Sequence, residues 1–412
     1  MKLQLINKNF SFLWFSDLLS VLNGRFRELV IPLIVLGLTS SPLTTTLVLL
    51  SQQLGTILFA IPIGTIVETR NKVKIATICN LLYAVCIFLL TFLITIEQFN
   101  SAIIALLLFI MGLVALVSRT AFSTMLPAVA GRDKLTEAHT SLEAADAFST
   151  LLGPVLGGLL LAFSGESVTL FVCGMLSIGS MVFITKVNYR EKFIYNKGAR
   201  IDTKSKRFIN QAKDGVKHLF SNPFQKISIL VMCSLSFSTV FVVLTVIFHA
   251  RVTLNLSEEL IGIILSCAGA GNIIGILIMK WFKEVNWLLF LTVLLIVSSF
   301  GVLLIGLFNN YLVLCIGMLI FDGALSMAFV VQASVHQGVT PDGLLSRVRS
   351  ATYVISGMFS AIGTLLAGVI PEYWSSQVGL LIGFLCLAIP GVYIIRFRQV
   401  SGKLNKITQV PN

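Results

Sequence analysis

The chain has 412 residues, of which 56% are hydrophobic and only 12% are charged. About a quarter of the residues in an ordinary soluble protein are charged, so this composition excludes a soluble globular protein and indicates a polytopic membrane protein. The net charge of +12 would also suit a nucleic-acid-binding protein. The positions of the basic residues distinguish the two classes.

Twelve apolar segments follow one another along the chain, each close to the length of a membrane-crossing helix. We predict spans at residues 12–36, 43–67, 75–96, 101–122, 141–163, 167–187, 227–249, 259–281, 286–307, 310–335, 346–370 and 374–395. With the N-terminus inside, Arg25 and Arg27 fall within the first span and only Arg251 falls outside, which leaves 27 of the 30 lysines and arginines on the cytoplasmic side. This pattern predicts a multi-pass plasma-membrane protein with cytoplasmic N- and C-termini, partnered by membrane lipids and not by nucleic acid.

The longest polar interval divides the spans six and six. We predict an N-terminal six-helix bundle over residues 1–187, a cytoplasmic basic linker over 188–225, a C-terminal six-helix bundle over 226–397 and a cytoplasmic tail over 398–412. Apolar residues recur at helical spacing in the linker, which is typical of an amphipathic helix on the membrane surface, although a solvated flexible linker is the alternative.

The two halves match one another at shifts of 210 or 211 residues, as in duplicated transporter halves. The matched pairs are Leu135 and Leu345, Gly153 and Gly363, Gly158 and Gly368, and Gly64 and Gly275.

The first span carries Asp17, Arg25, Arg27 and Glu28. A charge in hydrocarbon costs at least about 2.5 to 3.5 kcal/mol, so we expect these side chains to face protein or water. On a helical wheel Asp17 and Glu28 lie within about 20° of one another, with the arginines at roughly 80° on either side. The opposite side of the wheel, predicted to face lipid, carries Leu19, Leu22, Phe26 and Leu33.

The fifth span contains the sequence Gly153-Pro154-Val155-Leu156-Gly157-Gly158. Glycines four apart let two helices approach closely, and proline bends the helix. Asp146 lies on the glycine face and Glu143 lies one turn before it. Asp146 is either a proton carrier or the partner of a cation on a neighbouring helix, and we predict a structural ion pair with Arg119 near the inner end of the fourth span.

The turn between the second and third spans has a glycine, Gly64, an acid four residues later, Glu68, and a basic residue at Lys72. Such a turn can act as a charged latch that binds a neighbouring helix end in one conformation and releases it in another.

These spans and motifs, with the stretch Leu126-Pro127 … Arg132-Asp133-Lys134-Leu135, resemble the major facilitator superfamily. The chain is similar to its branch of macrolide-efflux and enterobactin-exporter proteins. The resemblance implies an all-α membrane protein whose twelve transmembrane helices form two pseudo-symmetric six-helix bundles about a central cavity, with efflux driven by proton antiport. In this superfamily the GPxxGG element is associated with exporters. The chain departs from the usual pattern at Glu68, Thr69 and Asn23-Gly24, where the family has Asp, a basic residue and Gly-Asp.

A proton-coupled exporter needs a carboxylate that is protonated from one side of the membrane and releases its proton to the other. The candidates are Asp17, Glu28, Asp146 and Asp322. We predict that Glu28, Arg25 and Arg27 line the transport path and that Asp322 or Asp17 takes part in coupling. The alternative is a fixed salt-bridge network that holds the first span in its bundle.

We therefore predict a monomeric secondary transporter that exports a small amphiphilic, drug-like compound in exchange for protons. An anionic siderophore-type compound is the alternative substrate, and a transporter-like sensor or immunity protein without flux is the alternative function. A membrane-embedded enzyme is disfavoured because the chain has no His–acid pair, metal-ligand spacing or nucleophile motif. It also has no GxxxxGK[ST] nucleotide-binding loop. We predict no cofactor and no metal site.

Overall fold

The structure is a computed structural model that describes residues 6–68, 70–98, 100–131, 134–188, 219–220, 223–282, 284–340 and 345–400. These residues are almost entirely α-helical and contain no β-strand. The prediction of an all-α membrane protein is therefore confirmed. The predicted amphipathic helix of the linker lies largely outside the described residues.

Eleven long α-helices account for the described chain. In the first half they are α1 (Lys8–Thr39), α2 (Pro42–Glu68), α3 (Lys72–Thr95), α4 (Ser101–Ala130) and α5 (Leu135–Thr185). In the second half they are α6 (Pro223–Phe248), α7 (Glu258–Ile278), α8 (Trp287–Leu307), α9 (Tyr311–Val339), α10 (Leu345–Tyr373) and α11 (Ser376–Ile394). A short π-helix, His249–Thr253, follows α6.

The count of eleven differs from the predicted twelve because α5 contains two of the predicted spans. Its 51 residues would extend about 77 Å as one straight helix, whereas the hydrocarbon core of a bilayer is about 30 Å thick. Gly165, with φ 76° and ψ 178°, interrupts the helical geometry. That conformation is almost restricted to glycine, so the fifth and sixth predicted spans lie on either side of a break at this residue.

Ten segments of the described helices are long and apolar enough to cross a membrane. The helix α1, which carries the four charged residues of the first predicted span, is not among them.

Asparagine side chains fix the starts of several helices. Asn7, Asn100 and Asn310 each precede a helix and accept a hydrogen bond from a backbone N–H of its first turn. The first N–H groups of a helix have no partner within it, and an asparagine at this position supplies one. These polar caps mark the chain positions at which the apolar segments begin.

The chain divides into two compact units. One consists of Met1–Phe193 and Ala250–Ser266, and the other of Ile194–His249 and Cys267–Asn412. The predicted bounds of the two bundles, the linker and the tail stay predictions.

The same glycine-mediated packing recurs inside each unit. A Cβ atom added at Gly153 of α5 would lie 2.5 Å from the Cβ atom of Arg25 in α1. A Cβ atom added at Gly363 of α10 would lie 2.7 Å from the carbonyl oxygen of Phe237 in α6. The helices α5 and α10 begin at Leu135 and Leu345, so the glycines occupy equivalent positions, as the internal repeat predicts.

A second pair of glycine-lined contacts joins α2 to α4 and α7 to α9. In the first unit Gly55 lies against the backbone of α4, and Gly112 lies against the backbone of α2 at Gln52. In the second unit Gly271 lies against the carbonyl group of Leu319, and Gly323 lies against Gly271. Neither contact leaves room for a side chain at the glycine.

Candidate functional site: a charged cluster on the first helix

A three-residue charged cluster joins α1 to α5. The Nη1 atom of Arg25 donates a hydrogen bond to Oε2 of Glu28 at 3.0 Å. Its Nη2 atom donates to both carboxylate oxygens of Asp146, at 3.1 and 3.3 Å. The exposed fractions of the side chains are 29% for Arg25, 61% for Glu28 and 42% for Asp146. The cluster is thus partly accessible and held together by charge-assisted hydrogen bonds.

The glycines of α5 determine which cation Asp146 meets. Gly153 contacts Arg25. A Cβ atom added at Gly157 would lie 3.5 Å from the backbone of Phe26. This close approach of α1 and α5 places the guanidinium of Arg25 beside Asp146, two turns before Gly153. The prediction that Arg119 is the partner of Asp146 is therefore wrong.

Asp17 belongs to a wider group of charges around the cluster. Its half-buried side chain interacts electrostatically with Arg119 of α4 and with Glu143 and Asp146 of α5. Glu143 is exposed. Three helices of the first unit therefore contribute the charged residues that the sequence identified separately.

Arg27 faces a different part of the first unit. Its guanidinium carbon lies 4.8 Å from the centre of the Tyr83 ring in α3, a cation–π distance. Its Nε atom is buried and has no hydrogen-bond partner among the described residues. The two arginines of α1 therefore have different surroundings, one paired with carboxylates and the other stacked on an aromatic ring.

The predicted lipid-facing side of α1 is packed against protein. Phe26 is 3% exposed and Leu33 is 5% exposed. Leu19 touches α5 near Gly179, and Leu22 is half-buried. The prediction fails because α1 packs against several helices of its unit, so its apolar side forms core, which hydrophobicity alone does not distinguish from a lipid face.

The GPxxGG element contacts the first turns of α7. A Cβ atom added at Gly158 would lie 2.5 Å from the carbonyl oxygen of Glu258, and one at Gly262 would lie 2.5 Å from that of Pro154. The backbone N–H of Val155 donates to the hydroxyl group of Ser266 at 3.2 Å. The four small or ring-constrained positions Gly153, Pro154, Gly157 and Gly158 thus serve packing on two sides of α5, against α1 and against α7.

The remaining predicted site residues belong to other helices. Asp322 is half-buried in α9, next to the tightly packed Gly323, and belongs to the second unit. Gly64 and Glu68 lie at the end of α2 and Lys72 begins α3. The side chain of Glu68 and the surroundings of Gly64 are outside the described part of the structure, so the latch stays a prediction.

Sequence reasoning missed the polar contacts that fix the rotation of α1. Asn23, 3% exposed, donates to the hydroxyl group of Ser177 at 2.8 Å. Ser16 and Ser180 are both buried and bond to one another at 3.0 Å. Ser177 and Ser180 lie three residues apart, the spacing of one helix face, and this pattern of small polar residues was the available signal.

Groups of histidine, cysteine and acidic side chains suited to a metal ion are absent from the described residues. The seven cysteines are free thiols, four of them buried. The described residues of the first unit thus offer charged and aromatic side chains and no ligand set for a metal.

Comparisons with known proteins place the chain among transporters. A sequence profile of the Major Facilitator Superfamily matches residues 13–364. A search of curated proteins finds no match.

Solved transporter structures share the fold. A bacterial homologue of the iron transporter ferroportin, in an inward-facing state, is 16% identical with a TM-score of 0.73, and the match covers 95% of this chain and 98% of that chain. A mutant of the nucleoside transporter NupG is 14% identical with a TM-score of 0.72, covering 95% and 99%. A POT family transporter in complex with a thioalcohol-conjugated peptide is 10% identical with a TM-score of 0.71, covering 95% and 96%. At these identities the likeness shows the fold alone.

Proposed function

Because this chain belongs to the Major Facilitator Superfamily, we propose that it exports a small amphiphilic compound in exchange for protons by alternating access. It is a multi-pass membrane transporter protein, and the export direction, the proton coupling and the substrate class are the proposal. We place it in the plasma membrane as a monomer surrounded by lipid, with both termini in the cytoplasm.

The charged cluster of Arg25, Glu28 and Asp146 is the observation that carries proton coupling. One guanidinium faces two carboxylates within 3.3 Å, so the fully ionised cluster has a net charge of −1. Glu28 is the most exposed of the three side chains. Binding one proton neutralises the cluster without breaking the Arg25–Asp146 pair, which makes Glu28 the group best placed to exchange protons with water.

The GPxxGG element supports the export direction. Its glycines contact α1 and α7. Any rearrangement of these helices therefore changes contacts at which the glycines have no side chain that could repack. In the superfamily this element is associated with exporters. The similarity to macrolide-efflux and enterobactin-exporter proteins also favours export of an amphiphilic compound.

A second substrate class is favoured by a specific observation. Arg27 has no carboxylate partner within ion-pair distance among the described residues, unlike Arg25. A positive charge of this kind suits a compound that carries an anionic group, such as a siderophore-type metabolite. Export of an anionic compound is therefore the alternative. A sensor or immunity protein without flux is the third reading.

Transport in inverted membrane vesicles tests the proposal. We would impose a pH gradient and measure the flux of macrolides, cationic dyes and iron-free siderophores, with a nucleoside and a dipeptide as compounds named for the structural neighbours. We expect gradient-dependent uptake of an amphiphilic drug into inverted vesicles, abolished by a protonophore. Flux that persists unchanged without the gradient would exclude proton coupling, and flux of none of the compounds under any ion gradient would favour the sensor.

A further inference from the structure

Three buried polar atoms, one on Arg27 and two on residues beside it, have no hydrogen-bond partner among the described residues. Besides Nε of Arg27, the hydroxyl group of Tyr83 and Oδ1 of Asn23 are buried and make no hydrogen bond among the described residues. Tyr83 is 7% exposed and Asn23 is 3% exposed. Arg27 stacks on Tyr83, and Asn23 lies one turn before Arg27 on the same face of α1. Asn23, Arg27 and Tyr83, which we call the Arg27 pocket, are therefore neighbours.

Leaving these atoms without partners is costly. A buried donor or acceptor without a hydrogen bond destabilises the fold, because it has given up its hydrogen bonds to water and gained none within the protein. Most buried polar groups in proteins are paired for this reason. Three such atoms in adjacent side chains, one of them on a guanidinium, are polar groups that a bound ligand would satisfy.

The charge of the site selects an anion. Arg25 is neutralised by Glu28 and Asp146, whereas the described residues provide Arg27 with an aromatic ring and no carboxylate. The ring of Tyr83 stabilises the cation but does not neutralise it. Water would satisfy hydrogen bonds and leave the charge, so a ligand with one negative charge fits better.

The donors of the site also fit an anion. Arg27 offers the Nε–H group, and Tyr83 offers a hydroxyl group. Asn23 is held by its Nδ2 atom, which donates to Ser177. If the amide is turned over, Oδ1 accepts from the Ser177 hydroxyl group and Nδ2 points away from it, so the same contact is kept and a third donor becomes available.

We propose that the Arg27 pocket binds a monoanion, which is either a small inorganic anion or the anionic group of the transported compound. The inference rests on the proposed function only for the second source. Its separation from the Arg25 cluster gives the two arginines of α1 distinct roles, one in the protonatable cluster and one in anion binding.

Thermal unfolding of the purified full-length protein tests the proposal without a transport assay. A thiol-reactive fluorophore reports unfolding, because four of the seven cysteines are buried. We would titrate chloride, bromide and benzoate against gluconate at constant pH and ionic strength. A ligand that binds only the folded state raises Tm, by about 1–2 °C at tenfold its Kd for a chain of this length.

Variants assign the effect to the pocket. Arg27→Gln should abolish the rise in Tm, and Tyr83→Phe, which keeps the ring, should raise the half-maximal anion concentration about five- to tenfold. Arg396→Gln is the control, because Arg396 is an exposed arginine at the other end of the chain, and should respond as wild type.

A charge swap covers the case in which Arg27→Gln fails to fold. Asn23→Asp places a carboxylate one turn from Arg27 and supplies the missing anion within the chain. We expect this variant to be at least as stable as wild type in gluconate and insensitive to added anion.

The outcomes separate the source of the anion from the existence of the site. A rise with halides supports an inorganic ligand, and a rise with benzoate alone supports the anionic group of an organic compound. No rise with any anion, an equal rise in Arg27→Gln, or an unchanged anion response in Asn23→Asp would overturn the proposal. The vesicle experiment is independent, so a protein that binds anions and shows no flux would refute the proposed function and leave this site in place.

Discussion

Arg25 and Asp146 are 121 residues apart in the chain and share two hydrogen bonds, at 3.1 and 3.3 Å. The pair joins α1 to α5 at a point two helical turns before Gly153, one of the glycines that bring these helices together. Packing and charge are thus coupled at one interface, where a change in either alters the other.

Glu28→Gln should reduce proton-driven efflux at least tenfold, because the amide cannot take up and release a proton. We expect normal protein in the membrane, since the Glu28 side chain is 61% exposed. Gradient-independent exchange of substrate should persist. Quantitative flux in inverted vesicles, normalised to protein level, measures this, with Glu97→Gln, an exposed acid, as the control.

Two results would count against the role of Glu28. Normal protein level with normal proton-driven efflux would remove it from the mechanism. Loss of the protein from the membrane would favour a fixed salt-bridge network that holds α1 in place.

Asp146→Asn should lower the free energy of unfolding by about 1–2 kcal/mol, because the Nη2 group of Arg25 loses a partly buried, negatively charged acceptor. The measurement is the shift in Tm of the purified protein. Glu143→Gln, one turn away on an exposed position, should change stability by no more than about 0.5 kcal/mol. Equal effects of the two substitutions would show that the ion pair contributes nothing specific.

Gly158→Ala should destabilise the protein by about 1–3 kcal/mol, because the added methyl group meets the backbone of α7 at Glu258, which cannot move aside as a flexible side chain can. Gly24→Ala is the matched control, since no atom lies within 4 Å of a Cβ atom at that position. Alanine favours helix over glycine by about 0.5–1 kcal/mol, so the control should be neutral or stabilising. A tolerated Gly158→Ala with unchanged Tm would refute the close packing.

Cysteine labelling tests the predicted orientation. A cysteine at Gln98, exposed after α3, should react with a membrane-impermeant maleimide in intact cells, because we place this end of α3 outside. A cysteine at Arg396, exposed after α11, should react only after the membrane is permeabilised. The reverse pattern would place the termini outside and contradict the distribution of basic residues.

Sequence alone predicted the positions of the helices because the length of an apolar segment is a local property of the chain. The internal repeat also matched Leu135 with Leu345, the residues at which α5 and α10 begin, although the spans were predicted from residues 141 and 346. The break at Gly165 was placed between two spans but not recognised as one interrupted helix. A glycine can adopt a positive φ but does not have to, so the residue type alone does not predict the break.

The site was predicted only in part, since its geometry depends on how α1 is rotated against its neighbours. The wheel placed Arg25 beside the stripe formed by Asp17 and Glu28 but could not show that Gly153 brings Arg25 onto α5. The choice of Arg119 assumed that consecutive helices supply the partner, whereas the backbone contacts of glycine decide it. The stacking of Arg27 on Tyr83 joins residues 56 positions apart, which no local pattern encodes.

The glycine contacts between α2 and α4, and between α7 and α9, restrict how this protein can be re-engineered. Larger residues are not accommodated at Gly55, Gly112, Gly271 or Gly323 without moving a whole backbone. A mutant library aimed at new substrates should therefore leave these four codons fixed and diversify positions at which the neighbouring atoms are flexible side chains.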